Sequence, residues 1–198
     1  MNNINPKIQN KIKENNNIIT TSQVMKLGFS RQILSKYVEE GLLERIRRGV
    51  YILTDEFHDD MYTLMLRSDS IVFSHESALF LNGLSDRMPF IHSITMPSNM
   101  TVPRSIKREC ICFYIKPELH TLGLIEKENS FGNVIRCYDA ERTICDFVRT
   151  RNRCDEETVI SALKNYAAYD KKDLNRLSDY AKVFKVDVEI KKYMEVLL

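Results

Sequence analysis

FSRQILSKYVEEGLLERIRRGVYIL, residues 29–53, runs three local signals together. Ser30 is an N-cap residue type, and Phe29 and Leu34 are spaced for a hydrophobic staple, so a helix is expected to open there. Gly41 stops it, because glycine adopts the left-handed backbone that ends helices. From Leu42 to Leu53 the alternation fits two strands, with Gly49 able to take the positive φ of the turn. At about 100° per residue, Ile33, Leu34, Tyr37 and Val38 share one side of the helix, whereas Arg31, Gln32, Ser35, Lys36 and Glu39 fill an arc of about 140° opposite. Arg45 and Arg47 flank Ile46 and are expected on the hairpin face opposite to it, with Arg48 at the tip. A solvated turn accounts for any one of these arginines. Together, beside a polar helix face, they point to a negatively charged partner.

Upstream, Pro6 to about Glu14 reads as a helix with Ile8 and Ile12 on one face, broken by Asn15-Asn16-Asn17. Thr20 and Gln23 have capping-box spacing, Ile19 can staple onto Val24, and Gly28 ends the short helix that follows. Two short helices around a Gly-Phe-Ser turn have helix-turn-helix spacing. A basic hairpin directly behind them makes residues 1–54 a winged helix-turn-helix. Arginine and glutamine side chains pair with base edges, serine and lysine with phosphates. The expected DNA contacts are therefore Ser30, Arg31, Gln32, Ser35, Lys36, Arg45, Arg47 and Arg48. The same architecture also serves as a protein-docking module.

Charge supports the first alternative. Residues 1–54 hold nine Lys or Arg against four acids, a net of +5, and the remaining 20 basic and 23 acidic residues give −3. A basic quarter on an acidic body favours a local anionic partner. No apolar run approaches the roughly 20 residues of a membrane span, and the start, MNNINPKIQNKIKENNN, has no signal-peptide core, so a cytoplasmic protein is expected. The five cysteines are odd in number and form no Cys-x-x-Cys pair, which favours free buried thiols over disulfides or zinc.

Asp55 to about Arg67 reads as a connecting helix with Phe57, Met61, Leu64 and Met65 on one stripe. Residues 68–198 then read as a mixed α+β domain ending in a helical bundle. Strands are expected at 71–74, 91–97, 109–115, 122–128 and 133–138. Ser74 should cap the helix of HESALFLNGL. Asp139, Asp155 and Asp170 should cap helices over 140–150, 156–168 and 171–182, and a last helix should cover 187–197. No catalytic constellation stands out. His75-Glu76 opens a helix, His58-Asp59-Asp60 fits a polar helix face, and the nuclease-like Glu189-Ile-Lys191 opens a helix rather than lying on a strand. No Gly-rich phosphate loop or Gly-x-Ser-x-Gly elbow occurs. The sequence therefore predicts no enzyme, cofactor or metal.

Three blocks carry a family resemblance: RRGVYIL closing the winged helix, SHESALFLNGLSD at 74–86, and YDAERTICDFV at 138–148. Together they resemble the AbiEi-type antitoxins of bacterial abortive-infection (type IV toxin–antitoxin) systems. The resemblance implies a repressor that autoregulates its own promoter through inverted repeats, and a C-terminal domain needed for antitoxicity. The implied partners are operator DNA and a nucleotidyltransferase-like toxin opposed without a stable complex, with protomers pairing on DNA. Arg142 and Arg149, with Arg151 and Arg153, are candidates for an antitoxicity surface; a solvated helix end is the alternative. Two other functions stay open: a nuclease targeted by the winged helix, and a metabolite-sensing repressor with a ligand pocket in residues 68–137.

Overall fold

Asn5 accepts the Lys7 amide at 3.0 Å and Pro6 brings a preset φ, so helix α1 (Pro6–Glu14) begins where the sequence places it. It ends at Asn16 and Asn17, whose φ values of 50° and 65° suit asparagine better than most residues. The computed structural model describes residues 4–54 and 59–198, and the chain divides into two compact units, residues 1–69 and 70–198. Residues 55–58, the expected start of the connecting helix with Phe57 and His58, lie outside the described residues.

In the first unit, strand β1 (Ile18–Thr20) leads into α2 (Thr21–Lys26). The capping box is formed as expected: the Thr20 amide donates to Gln23 Oε1 at 2.8 Å, and the Gln23 amide donates to Thr20 Oγ1 at 3.3 Å. Helix α3 (Gln32–Glu39) follows. Arg31 already has helical φ and ψ, and Ser30 Oγ accepts the Gln32 amide at 3.2 Å, so Ser30 does cap this turn. Strands β2 (Leu43–Arg47) and β3 (Val50–Leu53) form the hairpin, and β1 adds a third strand on the other side of β3. Neither three-residue β1 nor its pairing was legible, since a run that short has no usable period.

Strand β3 alternates between two cores. Tyr51 joins Ile8, Ile12, Leu34 and Leu43 beneath the helices, whereas Val50 and Ile52 join Ile18 on the opposite face. Helix α4 (Asp60–Leu66), capped by Asp59 accepting the Tyr62 amide at 3.1 Å, covers that second face with Tyr62 and Leu66.

The second unit holds a five-stranded mixed sheet in the order β6-β5-β4-β8-β7. Its strands are β4 (Val72–Phe73), β5 (His92–Pro97), β6 (Cys110–Ile115), β7 (Leu124–Glu128) and β8 (Val134–Tyr138). All five coincide with expected strands. Between them lie α5 (His75–Leu81) and α6 (Arg104–Glu109); α6, which was not foreseen, lies in the crossover that parallel strands β5 and β6 require. Four helices follow: α7 (Ala140–Arg149), α8 (Glu156–Ala167), α9 (Leu174–Phe184) and α10 (Asp187–Leu197). Helix α7 is buried from Ala140 to Val148, and the other three pack around it with α5. Two expected caps are corrected. Asp173 rather than Asp170 caps α9, accepting the Arg176 amide at 3.0 Å, because residues 169–172 are still turning out of α8. Ser74 precedes α5 but gives it no cap, because its hydroxyl is engaged sideways.

That engagement explains His75. Thr95 Oγ1 donates to Ser74 Oγ at 2.8 Å, and Ser74 Oγ lies 3.0 Å from His75 Nδ1. On the other side Nε2 lies 2.9 Å from Thr150 Oγ1, which itself donates to the Asp146 carbonyl at 2.7 Å. With the Thr150 hydroxyl proton committed to the Asp146 carbonyl, Thr150 Oγ1 accepts from Nε2–H, and in the neutral ring Nδ1 is then left to accept from Ser74. The ring stacks on Phe113 at 3.5 Å, as a core histidine. Burial drives its pKa down to about 4; the Asp146 carboxylate opposes this and Arg149, Arg142 and Arg153 add to it.

Because the folded pKa lies below the unfolded value of 6.5, the unfolded chain binds the extra proton between the two. Stability should be intact above pH 6.5 and fall by about 1.4 kcal/mol per pH unit toward pH 4 through this group. Urea titrations of the wild type and His75→Asn at several pH values should show that slope in the wild type and its loss in the variant. Asparagine tolerates the residue's φ of 48° and has nothing to titrate.

Candidate nucleic-acid interface

A groove of about 490 Å³ lies between α3 and the hairpin, lined by Thr21, Arg31, Gln32, Ser35, Arg45, Arg48, Gly49 and Tyr51. Three guanidinium groups, one carboxamide and three hydroxyls meet there, and no carboxylate is among the described residues that line it. The first turn of α3 supplies Arg31, Gln32 and Ser35, all exposed. The hairpin supplies Arg45 and Arg48. Its tip is pinned by the Thr21 amide donating to the Gly49 carbonyl at 2.9 Å, while Gly49 takes a φ of 80°. The described lining residues thus bring positive charge and hydrogen-bond donors together. Five of the eight expected contacts thus converge. Thr21 and Tyr51 were missed, because their places depend on β1 and on sheet register.

The remaining three stand outside the groove. Ser30 caps α3 at its exposed end, and Lys36 extends along the helix with its Nζ 3.7 Å from Glu40 Oε1. Arg47 departs from the expected geometry. In β2, Arg45 sits opposite Tyr51 but Arg47 sits opposite Val50, so Ile46 is an extra residue in the ladder. This bulge breaks the alternation. Arg45 stays on the Tyr51 face, beside α3, while Ile46 and Arg47 turn to the Val50 face. There Ile46 packs with the Val50 cluster, and Arg47 Nη1 binds Asp69 Oδ1 at 3.0 Å. Arg45 and Arg47 do not share a face.

The expected antitoxicity residues are also corrected in part. The Arg142–Asp146 pair forms as its spacing implies, with Nε 2.9 Å from Oδ2, but both side chains are wholly buried. Arg142 Nη1 donates to the Leu119 and Leu122 carbonyls at 2.9 and 2.7 Å, and its guanidinium lies 4.0 and 4.2 Å from the Tyr138 and Phe184 ring centroids. It ties α7 to the segment before β7, to β8 and to α9. A buried guanidinium so bound offers no surface to a partner. Arg149 is partly exposed, and its Nε and Nη2 both bind Asp146 Oδ1.

Other chemistry-bearing residues have structural accounts. Asp59 caps α4, and Glu189 on α10 lies 3.6 Å from Arg151. Burial pushes the Cys137 thiol up to about 12 and raises Cys145 further, and Cys112 and Cys154 are also raised, so these thiols are poor nucleophiles at neutral pH. Among the described residues, no cluster of three or more His, Cys, Asp or Glu side chains is placed to hold a metal, and no helix is long and apolar enough to cross a membrane.

Residues 7–54 match the family model described as "Transcriptional regulator, AbiEi antitoxin". The match falls on the winged helix and bears out the AbiEi-type resemblance there. The crystal structure of the RV2827C protein from Mycobacterium tuberculosis is similar in fold, with a TM-score of 0.56 and 11% sequence identity over 96% of this chain and 79% of that one. No curated protein matches the chain.

Replacing Arg142 with Met should cost about 3–5 kcal/mol, because Asp146 loses its buried partner and two carbonyls lose their donor. Chemical denaturation measures it. A cost below 1 kcal/mol would mean Arg142 is not the tie described here.

Proposed function

We propose that this chain, whose winged helix matches the AbiEi antitoxin regulators over residues 7–54, is a DNA-binding transcriptional repressor and antitoxin acting in the cytoplasm without catalysis. The observation that carries the proposal is the groove between α3 and the hairpin, where Arg31, Gln32, Ser35, Arg45 and Arg48 meet with no carboxylate among the described lining residues. With α3 in the major groove, Arg31 and Gln32 at its first turn reach base edges, as recognition helices do. Arg45 and Arg48 then flank the phosphates of the strand between helix and wing, with Ser30, Ser35 and Lys36 as further polar contacts along the helix.

The family resemblance supports the finer reading. The chain represses its own promoter at inverted repeats, and it counters a nucleotidyltransferase-like toxin without a stable complex. One winged helix is a small DNA-binding module, so a second copy on a second half-site supplies the affinity that one lacks. Since Arg142 is internal, the protective surface must use other groups of the second unit. A second reading, ligand-regulated repression, draws support from a cleft of about 470 Å³ that lies only partly in the expected 68–137, with Leu79, Leu84 and Phe90 beside Glu76 and, from the start of α8, Asp155 and Glu157. Loss of operator affinity on adding small molecules from cell extract would favour it.

Gel-shift titration on the chain's own promoter tests the DNA reading. Arg31→Ala or Gln32→Ala should cost about 1–3 kcal/mol on the promoter and much less on random DNA. Equal losses on both would reduce these side chains to phosphate contacts.

Growth rescue of cells expressing the adjacent toxin tests the antitoxin reading. The full chain should protect even when the toxin is driven by a foreign promoter, where repression is irrelevant. Protection confined to the native promoter would leave a repressor and no antitoxin.

A further inference from the structure

The wing carries three arginines around Gly49, but the bulge at Ile46 divides them between the two faces of the sheet. Arg45 and Arg48 line the groove with α3. Arg47 lies across from Val50 and meets Asp69, the last residue of the first unit, at 3.0 Å. The Arg47 side chain is 35% exposed and that of Asp69 82%. The bulge turns the base of the Arg47 side chain, yet a long flexible stem could still swing its guanidinium toward the tip. The Asp69 carboxylate is what it would have to leave.

Resting on the DNA-binding reading above, we infer that Asp69 is a positioning residue for the wing. It holds Arg47 on the side covered by α4, so the wing offers DNA the charges of Arg45 and Arg48 rather than of all three arginines. Two consequences follow from electrostatics. The carboxylate lowers the non-specific component of binding, which grows with each phosphate neutralised and carries no sequence information. It thereby leaves a larger share of the affinity to the side chains on α3. Because an exposed pair of this kind is weak, its release changes binding by a few-fold and not by orders of magnitude.

The test uses the full-length chain and a random-sequence duplex, with fluorescence anisotropy across a salt series. Asp69→Asn should tighten binding roughly two- to fivefold and steepen the slope of log affinity against log salt by up to about 0.9, the share of one additional phosphate contact. Arg47→Ala should leave the wild-type slope unchanged, and the double variant should return to it. Circular dichroism is used to check that each variant keeps the wild-type fold. Three results would overturn the inference: no change of slope in Asp69→Asn, a flatter slope in Arg47→Ala alone, or a gain that persists in the double variant. The last would reflect mere removal of a negative charge. A wild-type chain that binds no duplex would instead defeat the DNA-binding reading itself.

Discussion

Strand β3 is the constraint on which the N-terminal unit depends. Four residues serve two cores, Tyr51 toward the helices and Val50 with Ile52 toward α4. Both neighbouring strands take their register from it: Ile18 opposite Ile52 in β1, and Arg45 opposite Tyr51 in β2. Slipping β2 by one residue would move Leu43 and Arg45 from the Tyr51 face to the Val50 face. The same lock aims Arg45 beside α3. The groove between α3 and the hairpin is thus a by-product of how the sheet is buried.

In the second unit the comparable element is α7, with Asp146 receiving Arg142 on one carboxylate oxygen and Arg149 on the other. A charge buried this fully persists only because its partners are fixed. Gly123 shows how closely the surroundings fit. A Cβ there would lie 2.6 Å from Arg142 Cβ, and the Gly123 carbonyl also accepts the Asp139 amide at 2.8 Å. Glu141 adds a further tie, receiving the Tyr166 hydroxyl and the Asp173 amide. The block YDAERTICDFV therefore reads best as a structural signature of this unit's core.

Much of the fold was legible because local physics decided it. The capping box at Thr20, the caps at Asp139 and Asp155, the asparagine break and the five strands of the second unit all rest on neighbouring residues. What escaped was non-local. Strand β1 is too short for a period and exists because β3 offers an edge. The bulge at Ile46 is invisible to alternation, which assigned Arg45 and Arg47 to one face. Arg142 was mistaken for a surface residue because arginines are usually exposed. Only the convergence of Leu119, Leu122, Tyr138 and Phe184 from distant segments shows it to be internal. The groove itself was legible to the extent that helix and hairpin are adjacent in sequence.

The pairing of β4 with β8 bears on the order of events during synthesis. Phe73 lies beside Cys137 in the sheet, so β4 waits for a partner strand that emerges more than 60 residues later, ahead of the four helices. The first unit needs only neighbours close in the chain, with its sheet complete by Leu53. Contacts between near positions close early and those between distant ones close late. A ribosome halted between these points carries a finished winged helix and an open sheet with unpaired edges, the state in which the second unit is most exposed to aggregation.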